Sequence, residues 1–486
     1  MELAIIGGGA AGCFAAITAA DLGVKVSVYE AGNMPGRKIL TTGNGRCNYT
    51  TLALTPLAYN LGDEMMNAIP ALEAFGLHDT LEAWKRLGIY PRLQDVYFYP
   101  ASGQASSVQM ALVRGMEERG VKVHNNSKAS SVVKKESGEF EVTLESGYKF
   151  TCDAVIMACG GCAAPATGSD GSGIAIAQKM GHDCLKPIPA LTYMTTDAED
   201  LAALHGVRVK CNASLLQGDN FMGEQDGEVQ FTRDSISGIP TFQMSWIVGR
   251  FLENGPMTLR LNLILNDPMG TQKIEEDWNG ENLPHILKIQ PYADEDAYIS
   301  DLTERDCQWF FRYAAQNLEH TPGMTLQTLL CGVIPDKLAS IVMKRAGLDA
   351  RMPIGNMKGG FYYKEVRNAA IDAFSSSSQE VRGGGHAGTT SWIVPAEDWE
   401  KLFRTLTCFD FNITGTGDFE HAQVTSGGIT FNQVSSATLE SDLYPGLFFA
   451  GEMLDVDGPC GGYNLQWAWS SGTLAARSAA AYLKQS

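Results

Sequence analysis

The sequence predicts an α/β fold: a buried parallel sheet wound with helices, interrupted by a β-rich insertion that carries a helical block. Three observations predict it. Leu3–Ile6, Ala154–Ala158 and Leu447–Ala450 are short, wholly apolar runs, the pattern of strands buried on both faces. Between Pro187 and about residue 423 the texture changes, with alternating segments at Val207–Leu215 and Met257–Leu265. From Val424 the first texture returns.

A chain of 486 residues corresponds to about three domain-sized units. With 44% hydrophobic and 19% charged residues the composition is globular, not disordered. The net charge of −18 repels phosphate backbones and anionic headgroups. A small-molecule substrate is therefore expected rather than nucleic acid or membrane, and a local basic pocket for a small anion stays compatible with that surface. The N-terminus lacks the basic and apolar regions of a signal peptide. Apolar runs fall short of the ~20 residues that span a bilayer. The 11 cysteines are odd in number and scattered, as expected of reduced thiols in a cytoplasmic protein. Oligomeric state is not legible.

Taken in order, Leu3–Ile6 is a strand, Gly7–Gly12 a turn, Ala10 to Leu22 a helix closed by Gly23, and Val24–Tyr29 a second strand ending at Glu30. Residues 31–50 form a glycine-rich basic loop, of the long kind that is more often functional than filler. Residues 63–90 and Ser106–Arg119 read as helical. Strands follow at Val121–Val123, Ala129–Lys134, Phe140–Leu144, Lys149–Cys152 and Asp153–Ala158. Thr167–Gly173 leads into a helix to Met180. Period-two alternation then predicts half-buried antiparallel strands, residues 267–346 a helical block with Pro335 at a helix start and Gly347 past its end, and Ser375–Ser391 a mobile Ser/Gly loop. Gly446–Glu452 is again a buried strand and turn, and Pro459–Tyr463 opens a helix to Leu483.

The first unit is a Rossmann-like β-α-β with G-x-G-x-x-G at Gly7, Gly9 and Gly12, and Glu30 stands 18 residues beyond Gly12. Strand, turn, helix, strand and terminal acid occur in the order that a dinucleotide site requires. Gly7 permits the tight turn, Gly9 lets a pyrophosphate approach the backbone, and Gly12 lets helix and strand pack. The helix N-terminus offers N–H groups to the phosphates, and Glu30 accepts from ribose hydroxyls. A second match, Gly383–Gly388, has no strand before it or helix after it and reads as a loop. Cys159-Gly160-Gly161-Cys162 is a C-x-x-C without a second ligand pair for zinc. It is either a redox pair or, better, a strand end passing close to the nucleotide. Gly461-Gly462-Tyr463 would set helix N–H groups against the charge of a reduced flavin; the alternative is a helix packed on a core. Arg46 and Cys47 either face a substrate or order their loop. The histidines form no metal spacing, no metal site is expected, and no catalytic residue is assigned.

Three blocks together carry a resemblance: Gly36–Leu40 with Gly43–Asn48, Gln423–Gly428, and Gly451–Gly458 with Gly461–Ala468. Through them the chain resembles, over nearly its whole length, the bacterial flavoproteins that include the BaiN-like, YhiN-like and aminoacetone-oxidase-like proteins. Cys159 departs from the family's A-T-G-G, and Ser235 replaces an expected glycine. The resemblance implies a glutathione-reductase-type FAD-binding domain from both ends of the chain, 1–187 and 424–486, an inserted β substrate domain at 188–266 and 347–423, and a helical subdomain at 267–346.

Motif and resemblance together nominate as cofactor-binding Gly7, Gly9, Ala10, Ala11, Gly12, Glu30 and Ala31; Arg37, Lys38, Asn44, Cys47 and Asn48, which wrap the flavin; Ala129, Cys159, Gly160 and Gly161; Gly451 and Glu452; and Gly462, Tyr463, Asn464, Leu465 and Gln466 by its pyrimidine edge. The implied activity is FAD-dependent hydride transfer between flavin N5 and a small organic substrate, either C=C reduction of a steroid-like or enone compound or amine oxidation. With no second nucleotide fold in view, NADH or NADPH would serve as a transient electron donor. Two rivals are a folate-dependent RNA-modifying flavoenzyme and a non-catalytic FAD redox sensor.

Overall fold

The computed structural model describes residues 1–59, 67–264, 308–358, 362–366, 389–393 and 397–485. They fall into two compact units, Met1–Thr192 with Gly417–Ser486, and Tyr193–Thr416.

The first unit is built on a five-stranded parallel sheet in the order Leu447–Phe449, Ala154–Met157, Glu2–Ile6 (β1), Lys25–Tyr29 (β2), Lys122–His124. Side chains alternate across a strand, so an apolar run fills both faces. Leu3, Ala4, Ile5 and Ile6 are all buried. The helix Ala10–Asp21 (α1) crosses the C-terminal helix Tyr463–Gln485 so closely that a Cβ on Gly472 would lie 2.5 Å from the Ala11 carbonyl oxygen. Around that crossing the rings of Phe14, Trp84 and Trp469 interlock, with Phe14 and Trp84 each 5.2 Å from Trp469. Such pairs contribute roughly 0.5–1.5 kcal/mol each beyond their buried area. Cys184–Ala190 and Val424–Ile429 pair antiparallel, so the chain leaves and re-enters this unit through neighbouring strands.

The second unit is a closed antiparallel barrel of six strands, Met194–Thr196, Ser235–Gly238, Asn220–Phe231, Arg208–Gln217, Met257–Asn262 and Phe409–Thr416, in that order around the barrel. The alternating segments are antiparallel as expected, but Cys211–Leu216 is buried at every position rather than at every other one. Closure buries one face, and helix Ile239–Phe251 packs against the strand as well. The helices Gln308–His320, Leu326–Cys331 and Asp336–Ala346 contribute Phe310, Leu329, Leu338 and Val342 to the same apolar core as barrel residues Leu259 and Phe409. Pro335 caps Asp336–Ala346, and Gly347 ends it at φ +68°.

Two further expectations change. The helical stretch 63–90 is two helices, Ile69–Ala74 and Leu77–Arg86, divided at Gly76, with residues 60–66 outside the described residues. The Ser/Gly loop does not reach Ser391, because Thr389–Ile393 is a strand paired with Tyr362–Val366. The rest of that loop with the Gly383–Gly388 match, residues 267–307 of the helical block, and Leu265 lie outside the described residues. Among the described residues no helix is long and apolar enough to cross a membrane.

Candidate functional site

β1 ends at Ile6, and the chain turns through three glycines that answer different demands. Gly7 stands at φ +103°, where a Cβ would lie 2.4 Å from the Ala158 carbonyl oxygen. A Cβ on Gly12 would reach the Gly7 oxygen at 1.9 Å, so this glycine lets α1 pack under the turn. Gly9 has ordinary extended backbone, φ −77°, and a Cβ there would meet no atom within 4 Å. Its α-carbon faces the open groove. Ala10 and Ala11 line that groove too, and the first N–H groups of a helix have no intrahelical acceptor. Glu30, at the end of β2, is buried and accepts backbone N–H bonds from Gly8 to Oε2 at 2.7 Å and from Gly32 to Oε1 at 2.6 Å. Each carboxylate oxygen keeps a lone pair for a hydroxyl donor.

From this turn the groove runs past Ala31, Arg37, Lys38, Ala129, Cys159 and Gly160 to Gly451, Glu452, Asn464 and Leu465, with an empty volume of about 1240 Å³ including its open mouth. One network ties its walls. Lys38 Nζ lies 2.8 Å from Glu452 Oε2, and Glu452 Oε1 accepts the Thr425 N–H at 2.8 Å. Thr425 Oγ1 in turn accepts from the N–H groups of Cys162 at 2.7 Å and Ala163 at 3.0 Å. Arg37 donates to the Ala166 carbonyl at 2.7 Å. The Asn464 amide closes on the preceding turn, accepting from Gly458 N at 2.9 Å and donating to Gly458 O at 2.8 Å. The Cys159 thiol donates to the Ile6 carbonyl, and burial pushes its pKa up to about 12; burial raises Cys162 as well. Both are free thiols starved of thiolate, which favours the strand-end reading over a redox pair.

Eight nominated residues lie off the groove lining, and all but the exposed Asn44 are held by packing or hydrogen bonds. Gly12 supports the turn. Gly161 lets its loop close on Thr425, whose Oγ1 a Cβ would approach to 2.3 Å. Asn44 is exposed in left-handed backbone, φ +54°, whereas Cys47, φ +58°, is fully buried as the loop's anchor. A Cβ on Gly462 would strike the Asn48 side-chain amide and the Thr50 backbone, both at 2.8 Å, so Gly462 and Asn48 pack on each other. Tyr463 donates to the Ala53 carbonyl at 2.9 Å. Gln466 is wholly buried, accepting from Thr50 Oγ1 and donating to Phe75 O, Thr80 Oγ1 and Ser470 Oγ. Of the residues nominated at the start of this helix, Asn464 and Leu465 line the groove.

The groove also uses Lys128, Ser169, Gln423, Val424, Val456 and Trp467, none of them nominated. Ser169 sits in the glycine-rich turn Thr167–Gly173 and Gln423–Val424 in a resemblance block, so their signals were present in the sequence. Lys128 carried none. Asp170 and then Glu145, each at 2.9 Å, hold its ammonium pKa above the usual value.

These features fit FAD. An open Cβ direction at Gly9 leaves space for a pyrophosphate against helix N–H groups, Glu30 is pinned for ribose hydroxyls, and the groove continues from them to Glu452, Asn464 and Leu465.

Comparisons with known proteins agree. The family model of the HI0933-like protein Rossmann domain matches residues 1–478. The chain is 33% identical over 482 residues to the 3-dehydro-bile acid delta(4,6)-reductase of Clostridium scindens, covering 99% of each. It is 27% identical to the ribosomal RNA dihydrouridine synthase of Escherichia coli, covering 96% of this chain and 95% of that one. For the Haemophilus influenzae protein of the same name the identity is 28%, covering 98% of each. Two relatives named for an RNA substrate remove the ground for excluding nucleic acid by net charge. A sum over the whole surface says little about the field at one site. The chain belongs to the HI0933-like family of Rossmann-domain proteins and is an FAD-dependent oxidoreductase.

Proposed function

We propose that this oxidoreductase reduces a carbon–carbon double bond conjugated to a carbonyl in a small, largely apolar ring compound. The observation that carries the reading is the 33% identity to the bile-acid delta(4,6)-reductase, spread over 99% of the chain. Bound FAD supplies the two-electron hydride chemistry. The chain's own part is to hold and orient it. Gly9, Ala10 and Ala11 offer open backbone to the pyrophosphate, and Glu30 takes the ribose hydroxyls while its charge disfavours a 2′-phosphate. The Lys38–Glu452 pair and Asn464 face the rest of the groove. The barrel unit is assigned the shaping of the substrate site, so substitutions there should change substrate affinity while FAD is retained. Ten free thiols among the described residues support a cytoplasmic setting.

The test is anaerobic. FAD-loaded protein is reduced with NADH, NADPH or dithionite and mixed with a conjugated-enone steroid. The flavin absorbance should return as the enone gains one equivalent of hydrogen. Failure with every enone, together with bleaching of the oxidised flavin by an amine, would replace this reading with amine oxidation. A second reading rests on the two dihydrouridine synthase relatives, since saturating a uracil double bond beside its carbonyl is the same bond chemistry. Salt-sensitive RNA binding with dihydrouridine formation would favour it.

A further inference from the structure

Next along the chain from Thr42, which lines the groove, lies a cluster outside the groove lining. The loop after Thr42 runs through left-handed backbone at Gly43, Asn44, Gly45 and Cys47, with φ between +54° and +79°. Side-chain-bearing residues avoid that region unless the surroundings hold them there, and such outliers gather at functional sites. Here Cys47 is the buried anchor, its N–H bonded to the Thr42 carbonyl at 3.0 Å. The loop carries Arg46 outward onto the Tyr99 ring, 5.2 Å from guanidinium carbon to ring centre. Its Nε reaches the Gly43 carbonyl at 3.4 Å, and among the described residues Arg46 makes no ion pair. Arg92, exposed on the neighbouring strand, stands in register with Tyr99 and likewise has no ion pair among the described residues. Tyr97 shares the face of Tyr99 and abuts the turn into the C-terminal helix, where a Cβ on Gly461 would lie 2.4 Å from its ring. In a chain of net charge −18, two arginines left without carboxylates around one tyrosine make a local positive field.

We propose that Arg46, seated on Tyr99 with Arg92 and Tyr97 beside it, anchors a carboxylate on the substrate, whose apolar rings lie along the tyrosines. This rests on the enone-reduction reading. A guanidinium stacked on a ring keeps its edge N–H groups free, and their fork matches a carboxylate bidentately. A polyanion is disfavoured locally by Asp95, whose charge acts on Tyr97.

The test is equilibrium binding of an enone steroid carboxylic acid and of its methyl ester to the FAD-loaded full chain. The acid should bind about tenfold tighter at low salt, with the preference shrinking at high salt. Arg46→Gln should bring the ratio to about one, with Arg46→Lys restoring part of it. Arg92→Gln, on a separate strand, should remove part of the preference even if the Arg46 variants lose FAD. Equal binding of acid and ester by the unaltered protein, no binding of either, an unchanged ratio in Arg46→Gln, or tighter binding of a uridine oligonucleotide than of the acid would each overturn the anchor. Turnover separates the two readings. Reduction of both compounds without an acid preference in binding removes the anchor alone; acid-preferring binding with no reduction of either removes the reaction assignment alone.

Discussion

Replacing Gly9 by leucine should separate cofactor binding from folding. Gly9 has φ −77° and ψ −165°, open to any residue, and a Cβ there meets no atom within 4 Å. Losing a glycine N-cap costs the helix ~1 kcal/mol at most. Stiffening the unfolded chain offsets ~0.4–1 kcal/mol of that. The leucine side chain, however, stands in the groove and bars phosphate from the N–H groups of Ala10 and Ala11. Two charge-assisted hydrogen bonds at ~1.5–3 kcal/mol each amount to about 3–6 kcal/mol, or roughly two to four orders of magnitude in Kd. Gly12→Ala is the contrast. Its Cβ would lie 1.9 Å from the Gly7 carbonyl oxygen, a backbone atom with no flexible end to yield. That variant should lose ~3 kcal/mol or more of stability with or without FAD. Thermal melts of the FAD-free proteins and fluorescence titration with FAD measure the two effects separately. Wild-type FAD affinity in Gly9→Leu, or a melt as low as that of Gly12→Ala, would refute the reasoning.

Three further outcomes are expected. At 2.8 Å the Lys38–Glu452 attraction is about 6 kcal/mol at an effective dielectric of ~20. Both side chains keep more than a fifth of their surface exposed, so Lys38→Met should cost only ~1–2 kcal/mol of stability. Adding Glu452→Gln should recover about half of that, because the stranded carboxylate is gone, whereas purely additive losses would exclude the coupling. His182 is buried between the Ala177 carbonyl at 3.2 Å and Ser441 Oγ at 2.7 Å, and burial depresses its pKa. The unfolded chain then binds more protons on acidification, so this stability is complete above pH ~6.5 and is lost as the pH falls below it. His182→Gln should flatten the acid limb of a Tm–pH curve, and parallel limbs in the two proteins would count against the assignment. A Cys159 pKa of about 12 leaves little thiolate at pH 8, so mass spectrometry should find exposed Cys331 alkylated long before Cys159. Early labelling of Cys159 in the folded protein would contradict that raised pKa.

The turn, its helix and the acid at its end were legible because each is a local demand. Gly7 needs left-handed backbone, Gly12 needs room for helix on strand, and Glu30 follows a strand of known direction. The second half of the groove was legible only in part. Asn464 and Leu465 line it while Tyr463 and Gln466, their immediate neighbours, turn toward Ala53 and Thr50. A helical residue's direction depends on what packs around the helix, and those partners come from distant parts of the chain. Cys47 and Asn48 pack away from the groove lining for the same reason.

By itself the sequence determined that apolar runs would make a parallel sheet, that alternating runs would make antiparallel strands, and that a glycine turn would stand at the first strand end with an acid after the second strand. These follow from side-chain period and backbone freedom, which act over a few residues. Tertiary structure decided which strands neighbour one another: closure of the barrel by Phe409–Thr416 on Met194–Thr196 buries one face of Cys211–Leu216, and helix Ile239–Phe251 packs against the same strand. It also decided the polar network. Lys38, Cys162, Thr425 and Glu452 meet only because four segments far apart in the chain, one of them the strand Val424–Ile429, converge. Hydrogen bonds and ion pairs reach about 3 Å, so their partners are set by where the folded backbone brings them, not by spacing along the chain.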